Sequence, residues 1–321
     1  MVTKIEWTDE TWNPVAGCTP VSEGCDHCYA RRMANRLRGR HGYPADEPFR
    51  VTPHPDRLTI PLHWRRSRRI FVCSMGDLFH EDVPQAFISG VWRTMGETPQ
   101  HTYQILTKRP TRMEVCLRSG KILPNVWLGV TVESRKHVSR IDDLCKCPAA
   151  VRFVSLEPLL GLADISPYLA RKCRRCHGRG ERRIGGMIKR TACCGYCTGT
   201  GWERSGLDWV IVGAETGPGA RPMHPDWVRS IRDQCVQAGV PFFFKSWGDW
   251  AHEIILGSKI IKHRGKLTSA GVKGLSTEIS VGTRLHQWPD ATWSARVGKA
   301  KAGNVLDGRR WEQYPNQGAT E

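Results

Sequence analysis

Six short apolar runs recur along the chain, and each run breaks into polar or glycine residues where it ends. Each run holds four to six apolar or β-favouring residues, which is typical of a strand buried on both faces of a parallel sheet. Stretches with helix-like spacing lie between the runs, at 83–95, 111–118, 135–144 and 225–238. The runs are RIFVCSMGDLF from Arg69, TYQILTKRP from Thr102, NVWLGVTVES from Asn125, VRFVSLEPLL from Val151, LDWVIVGAETG from Leu207 and VPFFFKSWG from Val240.

This alternation predicts an α/β fold, either a partial or complete TIM-like (β/α) barrel or an open doubly wound sheet. A weaker strand before Cys18 brings the number of strands to seven, and residues 49–52 could supply an eighth. The barrel is favoured because polar residues recur at the carboxyl ends of the strands, where barrel enzymes build their active sites. These residues are Ser74, Asp77, Thr107, Lys108, Thr131, Glu133, Glu157, Glu215 and Lys245.

Three cysteines stand close together near the amino terminus, in the run GCTPVSEGCDHCYARRM. Six residues separate Cys18 from Cys25, and two separate Cys25 from Cys28. Three thiolates at such close spacing predict ligands for a 4Fe-4S cluster that keeps one iron free for chemistry. The alternative is a zinc loop that takes His27 or Cys73 as its fourth ligand, but zinc sites usually join two paired ligand sets and this triad has no second pair nearby.

A second cysteine group has a different pattern, in which two copies of C-x-x-C-x-G-x-G place 17 residues between Cys176 and Cys194. The four cysteines are Cys173, Cys176, Cys194 and Cys197. This spacing predicts a four-thiolate zinc site, and the glycines after each pair let the backbone turn tightly around the thiolates. Over about 30 residues the repeat resembles one zinc unit of the cysteine-rich domain of J-domain chaperones, a likeness that implies zinc and no chaperone activity.

The chain is strongly basic, with a formal net charge of +17. Such a charge predicts a nucleic-acid partner, because neutralising phosphates releases counterions and favours association. Nine Lys or Arg residues and one acid lie between positions 171 and 190, so the zinc module is the most basic segment. We expect Arg174, Arg175, Arg182 and Arg183 to contact phosphates. The alternative is a solvated basic surface that only maintains solubility.

The sequence predicts a cytoplasmic protein, in a bacterium or a phage-infected host. No stretch approaches the roughly 20 apolar residues of a membrane span, and the start MVTKIEWTDE lacks the apolar core of a signal peptide. Because the cytosol keeps thiols reduced, the 13 cysteines are expected to be metal ligands and free thiols rather than disulfides.

The order of these motifs resembles the phage-associated three-cysteine-motif family, a domain of unknown function that is similar to radical S-adenosylmethionine enzymes. The likeness covers residues 3–250 and 298–315, where the cysteine loop is followed by FVCSMGD, ILTKRP, VWLGVTVES, VSLEPLLG, WVIVGAETGPGARPM, PFFFKSWG and AGNVLDGRRWEQYP. The resemblance implies a partial barrel whose cluster chelates S-adenosylmethionine and receives electrons from an external donor. It also implies that Ser74, Gly76 and Asp77 bind the cofactor's amino group, and that Thr131, Glu133 and Ser134 meet its ribose and carboxylate.

The resulting hypothesis is an enzyme that cleaves S-adenosylmethionine to a 5'-deoxyadenosyl radical, which abstracts hydrogen from a nucleic acid or nucleotide substrate. The barrel is predicted at 1–160 and 207–250, with the zinc module inserted at 161–206 and an irregular extension at 251–321. Two alternatives have no such chemistry. One is a nucleic-acid-binding protein with structural metals, and the other is a module that serves a partner enzyme encoded nearby, for example in a phage or defence system.

Overall fold

The structure is a computed structural model of the 321-residue chain. It describes residues 3, 5–118, 121–169, 171–172, 175, 181–184, 190–193, 202–203, 206–252, 262–263, 266–267, 272–273, 278–279 and 283–315.

Seven parallel strands form one central sheet, and their order in the sheet is their order along the chain. The sheet is curled into a half-barrel, so the predicted α/β class and the partial barrel are confirmed at this level. The strands are β1 (Glu10–Trp12), β2 (Arg69–Val72), β3 (Thr102–Thr107), β4 (Val126–Thr131), β5 (Val151–Leu156), β6 (Trp209–Gly213) and β7 (Phe242–Ser246). All six apolar runs and the weaker strand before Cys18 therefore enter this sheet.

The predicted eighth strand does not join the sheet. Residues Thr52–Pro53 instead pair antiparallel with Val15–Ala16 beside the cysteine loop. Proline has no backbone N–H and cannot donate a hydrogen bond to a neighbouring strand. A short edge pairing tolerates this loss, whereas a central parallel strand does not. The outer edge of β7 is covered by the carboxyl-terminal segment, because Phe244 N donates to Trp311 O at 2.8 Å and Gln313 N donates to Phe242 O at 3.2 Å.

The helices lie where the sequence predicts them, with small shifts at their ends. The predicted helix at 135–144 divides into a 3-10 turn and a short α-helix. The α-helices are α1 (Tyr29–Arg36), α2 (Gln85–Glu97), α3 (Pro110–Leu117), α4 (Arg140–Lys146), α5 (Pro225–Ala238) and α6 (Lys299–Ala302). The 3-10 helices are Glu23–Cys25, Pro55–Arg57, Ile60–His63, Arg135–His137 and Ser166–Tyr168.

The two faces of the sheet bury different side chains, since successive residues of a strand point to opposite faces. On the outer face, aliphatic residues such as Val72 and Leu128 share one core with apolar residues of α2 to α5. On the inner face, aromatic rings fill the end near the start of the strands, where Trp209 packs against Trp127 and Phe243 at centroid distances of 5.8 and 6.1 Å. These rings occupy the inner face at that end of the sheet.

The remaining strands form small antiparallel pairings away from the central sheet. The carboxyl-terminal region holds a three-stranded sheet, so its described part is more regular than the sequence predicts. That sheet is made of Trp250–Ala251, Trp293–Arg296 and Leu285–Gln287, and the other pairings are Arg171–Lys172 with Trp202–Glu203, Glu181–Ile184 with Arg190–Cys193, Lys262–His263 with Lys266–Leu267, and Val272–Lys273 with Glu278–Ile279. The four cysteines of the predicted zinc site lie outside the described residues.

Candidate functional site

A cavity of about 660 Å³ opens at the carboxyl ends of the strands, and Cys18, Cys25 and Cys28 all lie in its wall. Its volume is within the range of ordinary ligand sites. The structure thus brings the cysteine triad to the part of the barrel where the sequence places the active site. Of the six residues predicted to bind S-adenosylmethionine, Ser74, Gly76, Asp77 and Thr131 line the same cavity, whereas Glu133 and Ser134 are not in its lining.

The cysteine loop, residues 17–28, begins at a position that only glycine can occupy. Gly17 has a φ of +84°, and a Cβ there would lie 2.1 Å from the carbonyl oxygen of Arg50. Gly17 N donates to Met75 O at 2.9 Å, and Cys18 N donates to Phe49 O at 3.2 Å. The loop then makes the Glu23–Cys25 turn and ends with Cys28 as the residue before α1. These backbone contacts place the first cysteine beside the turn that follows β2.

Loops at the carboxyl ends of several strands anchor the cysteine loop at three places. The first anchor holds Thr19, whose hydroxyl oxygen accepts from Arg109 Nη2 at 2.6 Å and lies 2.8 Å from His80 Nε2. Arg109 follows β3 and is itself paired with Glu81 at 3.1 Å. His80 is 3 % exposed, so its ring is enclosed between the cysteine loop and the turn after β2.

The second anchor is Glu133, which follows β4 and is fully buried. Its carboxylate accepts from the Ser22 hydroxyl at 2.6 Å and from Arg140 Nη1 at 2.8 Å. A Cβ on Gly24 would lie 2.4 Å from the same carboxylate oxygen that Ser22 contacts, so the loop passes directly over it. Glu133 therefore supports the cysteine loop from behind. Its position fits the role of a loop anchor better than the predicted role of a cofactor contact.

The third anchor joins Glu215, after β6, to the far side of the loop. His27 Nδ1 lies 3.0 Å from Glu215 Oε2, and Arg221 forms an ion pair with Glu215. Arg221 Nη2 also donates to Glu23 O at 2.7 Å. Burial by itself raises the pKa of Glu215, but the bonds from Arg221 and His27 outweigh it and hold the pKa below its usual value. Glu215 is thus a carboxylate that ties two parts of the chain together.

The three cysteine side chains of the cavity wall have the chemistry of metal ligands. Burial, with a further contribution from Asp77, raises the pKa of Cys18 to about 12, so the free side chain is a neutral thiol. Coordination to a metal deprotonates a thiol outright, because the ion's own charge stabilises the thiolate. Cysteine sulfurs are ligands of cationic metal groups, so the three side chains of the cavity wall fit such a group.

One cluster of side chains has the spacing of a single-ion metal site. Among the described residues, only His224, Asp226 and Asp290 bring three candidate ligand atoms within 4.8 Å of one another. The zinc alternative for the triad remains, because His27 contacts Glu215 through Nδ1 and a histidine that bonds a carboxylate with one ring nitrogen can bind a metal with the other.

The His224 cluster is explained by its place in the fold. His224 accepts from Asp226 N at 3.2 Å and so caps the start of α5, while its Nε2 lies 3.0 Å from Asp290. Both ring nitrogens are used by these contacts, and the two carboxylates are exposed. The cluster therefore serves as a helix cap.

The predicted cofactor residues near β2 are held by internal bonds. The Ser74 hydroxyl donates to Asn13 Oδ1 at 3.1 Å, and Asp77 accepts from the Thr107 hydroxyl at 2.8 Å. A Cβ on Gly76 would lie 2.8 Å from the carbonyl oxygen of Gly17, so glycine is needed where this turn meets the cysteine loop. Asp77, which also lines the cavity, therefore helps to shape the turn.

Sequence reasoning missed two features of the inner wall. Lys245 Nζ donates to Glu157 Oε1 at 2.5 Å inside the cavity, and the hydroxyl of Ser155 lies beside this pair in the lining. Glu157 and Lys245 stand out in the sequence only as polar residues at strand ends. Nothing in the sequence shows that they pair with each other, because the strand β6 separates them in the sheet.

The predicted phosphate-contacting arginines lie only partly within the described residues. Arg175 is exposed, and the backbone of Arg182 and Arg183 belongs to the strand Glu181–Ile184. Arg174 lies outside the described residues, as do the four cysteines between 173 and 197. Nucleic-acid binding by this segment stays a prediction.

Within the described residues, no helix has both the length and the apolar character needed to cross a membrane.

Comparisons with known proteins give one result. Neither the curated proteins nor the solved structures include a significant match to this chain. One family model, described as "Protein of unknown function (DUF5131)", matches residues 2–315. Since this match spans nearly the whole sequence, the chain belongs to the DUF5131 family.

Proposed function

We propose that this protein is an iron–sulfur enzyme of the radical S-adenosylmethionine type that acts on a nucleic acid or nucleotide. One observation carries the proposal, namely that three cysteines of one anchored loop line the cavity at the carboxyl ends of a parallel half-barrel. Active sites in barrels of parallel strands are built at that end. The similarity to radical enzymes and the association with phages rest on the sequence motifs.

Cys18, Cys25 and Cys28 would hold the cluster, which we propose is of the 4Fe-4S type and draws electrons from an external donor. When bound with S-adenosylmethionine, such a cluster supplies the electron that breaks a carbon–sulfur bond and yields a 5'-deoxyadenosyl radical. The side chains of Ser74 and Thr131 lie in the same wall and would orient the cofactor. They offer hydroxyl groups that both donate and accept hydrogen bonds.

The rest of the barrel shields the reaction. The aromatic rings of Trp127, Phe153, Trp209 and Phe243 close the inner face below the cavity and exclude water from that side. A reactive intermediate needs such exclusion, because water and stray hydrogen donors consume it. The three anchors of the cysteine loop serve the same end by fixing the wall that carries the triad.

The proposed nucleic-acid partner rests on charge. The net charge of +17 favours phosphate binding, and the basic segment at 171–190 follows the carboxyl end of β5, which is the end that bears the cavity. We propose that residues 161–206 hold zinc through Cys173, Cys176, Cys194 and Cys197 and that they grip the substrate by its backbone.

The decisive experiment is anaerobic purification with reconstitution by iron and sulfide, followed by an assay for 5'-deoxyadenosine. The proposal expects product to form from S-adenosylmethionine under a reductant, and to form faster when the correct nucleic acid is added. A fully reconstituted protein that forms no 5'-deoxyadenosine under any of these conditions would point to the non-catalytic nucleic-acid-binding alternative. Copurification with a partner enzyme would then favour the module alternative.

The zinc proposal predicts that Cys176→Ala releases one zinc and loosens residues 161–206. Zinc binding contributes on the order of 10 kcal/mol to the folding of a small metal-held segment, so its loss leaves that segment open to protease. Metal analysis and limited proteolysis measure both effects, with Cys116→Ala as the matched control outside the two cysteine groups. A Cys176→Ala protein with unchanged zinc and unchanged cleavage would refute the zinc site.

The nucleic-acid proposal predicts that joint replacement of Arg174, Arg175, Arg182 and Arg183 by glutamate weakens binding. The slope of log affinity against log salt should fall by roughly 0.7 to 0.9 for each phosphate that the protein no longer neutralises. Fluorescence anisotropy at several salt concentrations measures this slope. Cleavage of S-adenosylmethionine without nucleic acid should change little, because the cysteine loop is a separate element. An unaltered affinity and slope would show that these charges are only a solvated surface.

A further inference from the structure

Three buried polar atoms in residues of the cavity wall have no hydrogen-bond partner among the described residues. One is Arg32 Nη1, beside the cysteine loop, and the other two are the hydroxyl oxygen of Ser155, in a residue that is 1 % exposed, and the indole nitrogen of Trp7, in a residue that is 2 % exposed. All three residues line the cavity that holds the cysteine triad. Because buried polar groups in native proteins are nearly always paired, an unpaired donor in a cavity wall marks a place for a ligand's polar atom.

Strand geometry places Ser155 beside a charged pair. Ser155 and Glu157 are two residues apart on β5 and its extension, so they face the same side of the sheet. Lys245, on β7, reaches Glu157 across the intervening strand. Gly213 lies between them on β6, where a Cβ would come within 3.3 Å of both Glu157 Cδ and Lys245 Cβ. The absence of a side chain at Gly213 leaves room for the two charges to meet inside the barrel.

The pair keeps unused hydrogen-bonding capacity. Burial lowers the pKa of Lys245, but the charge and hydrogen bond of Glu157 outweigh burial and raise it, so the ammonium stays protonated. An ammonium has three donors and a carboxylate has two acceptor oxygens, and their single mutual bond uses one of each. The wall thus offers an acceptor next to a donor, with the Ser155 hydroxyl able to do either.

We infer that this wall, made of Trp7, Ser155, Glu157 and Lys245, binds the hydrogen-bonding edge of a nucleobase. This inference rests on the proposed function and narrows its substrate to a base. Nucleobase edges carry donors beside acceptors, which complement Glu157 and Lys245. Phe71, half-buried in the same cavity, and Trp7 supply apolar and aromatic surface for a flat ring.

The enclosure of the wall restricts the form of the substrate. A base that pairs within a duplex cannot bring its edge into a barrel, so the base must be unpaired or rotated out of the stack. We expect single-stranded nucleic acid to be bound in preference to the matching duplex.

The test uses the full-length reconstituted protein and the four ribonucleosides as probes, with binding measured by ligand-observed NMR. At least one nucleoside should bind, and the double variant Glu157→Gln/Lys245→Met should weaken it about tenfold or more, since hydrogen bonds to charged groups are lost. Removing both charges avoids leaving one of them buried alone. Ser155→Ala should weaken binding less, and Lys146→Met, at the exposed pair with Asp143, should leave it unchanged.

Three results would overturn the inference. They are no binding by any nucleoside, equal binding by the wild type and the double variant, and tighter binding of glycine than of any nucleoside, which would identify a site for amino acid zwitterions. The measurement needs no turnover. Failure to form 5'-deoxyadenosine therefore counts against the proposed chemistry, while absence of nucleoside binding by the wild-type protein counts against this wall alone.

Discussion

Replacement of Cys25 by alanine is expected to abolish both cluster binding and the formation of 5'-deoxyadenosine. A cluster with one free iron depends on all three thiolates, so two cannot hold it stably. The wild-type protein should carry about four irons per chain after reconstitution, and Cys25→Ala should carry almost none. Iron and sulfide analysis and the product assay measure the two effects. The same loss is expected for Cys18→Ala and Cys28→Ala.

Cys235→Ala is a control for general damage, because that cysteine is buried in the outer core and away from the cavity. It should keep the iron and the activity at permissive temperature. Stoichiometric zinc at the triad, with no iron after careful reconstitution, would refute the radical interpretation and favour the zinc loop.

Glu133→Gln is expected to destabilise the protein and to make it lose the cluster more readily. In the fraction that retains iron, the affinity for S-adenosylmethionine should be nearly unchanged. Removal of the buried carboxylate charge leaves Arg140 without its ionic partner, and breaking a buried pair in this way costs about 3–5 kcal/mol. It also weakens the bond to Ser22 that holds the cysteine loop. Denaturant unfolding and the rate of iron loss to a chelator measure these effects.

The matched control is Glu114→Gln, which removes an ion pair with the exposed side chain of Arg118. This change should lower the free energy of unfolding by less than about 1 kcal/mol. The two roles considered for Glu133 give opposite results. If it contacted the cofactor, as the resemblance implies, the substitution would raise the KM for S-adenosylmethionine and leave iron retention intact. That outcome would overturn its role as a positioning residue.

The three anchors explain how a short loop with little apolar content keeps a fixed shape. Arg109 is 90 residues from Thr19 in the sequence, Glu133 is 111 from Ser22, and Glu215 is 188 from His27. Each anchor comes from a loop at the carboxyl end of a different strand. Because these ends meet at one edge of a parallel sheet, residues distant in sequence can hold one loop from several directions.

Strand positions were predictable because they depend on local pattern. A strand buried on both faces must be apolar over its whole length, and the six runs show this directly. The helix α5 was equally clear, since its apolar residues recur at helical spacing. The structure shows that Pro225 begins it and that Gly239 ends it in a left-handed conformation at φ +69°. The prediction that residues 49–52 form an eighth strand of the sheet was wrong, because one short apolar run does not specify its pairing partner. Here pairing with Val15–Ala16 competes with the central sheet.

Closure of the barrel was not predictable from pattern. The same alternation of strands and helices builds a complete barrel, a half-barrel or an open sheet, and the choice depends on stagger and curvature accumulated over all strands. Here the free edge of β7 is covered by residues near Trp311, a contact between segments far apart in the sequence.

The sequence by itself determined the seven strands, the spacing of Cys18, Cys25 and Cys28, and the end of the sheet at which they lie, because each follows from short-range periodicity and chain direction. Only the tertiary structure decided which partner each polar strand-end residue contacts. Asp77 and Glu133 bond to neighbouring loops, whereas Glu157 and Lys245 meet inside the barrel. The physical reason is that a side chain's partner is set by strand order and by the register shift between Val212 and Gly213, and these emerge only when distant segments pack together.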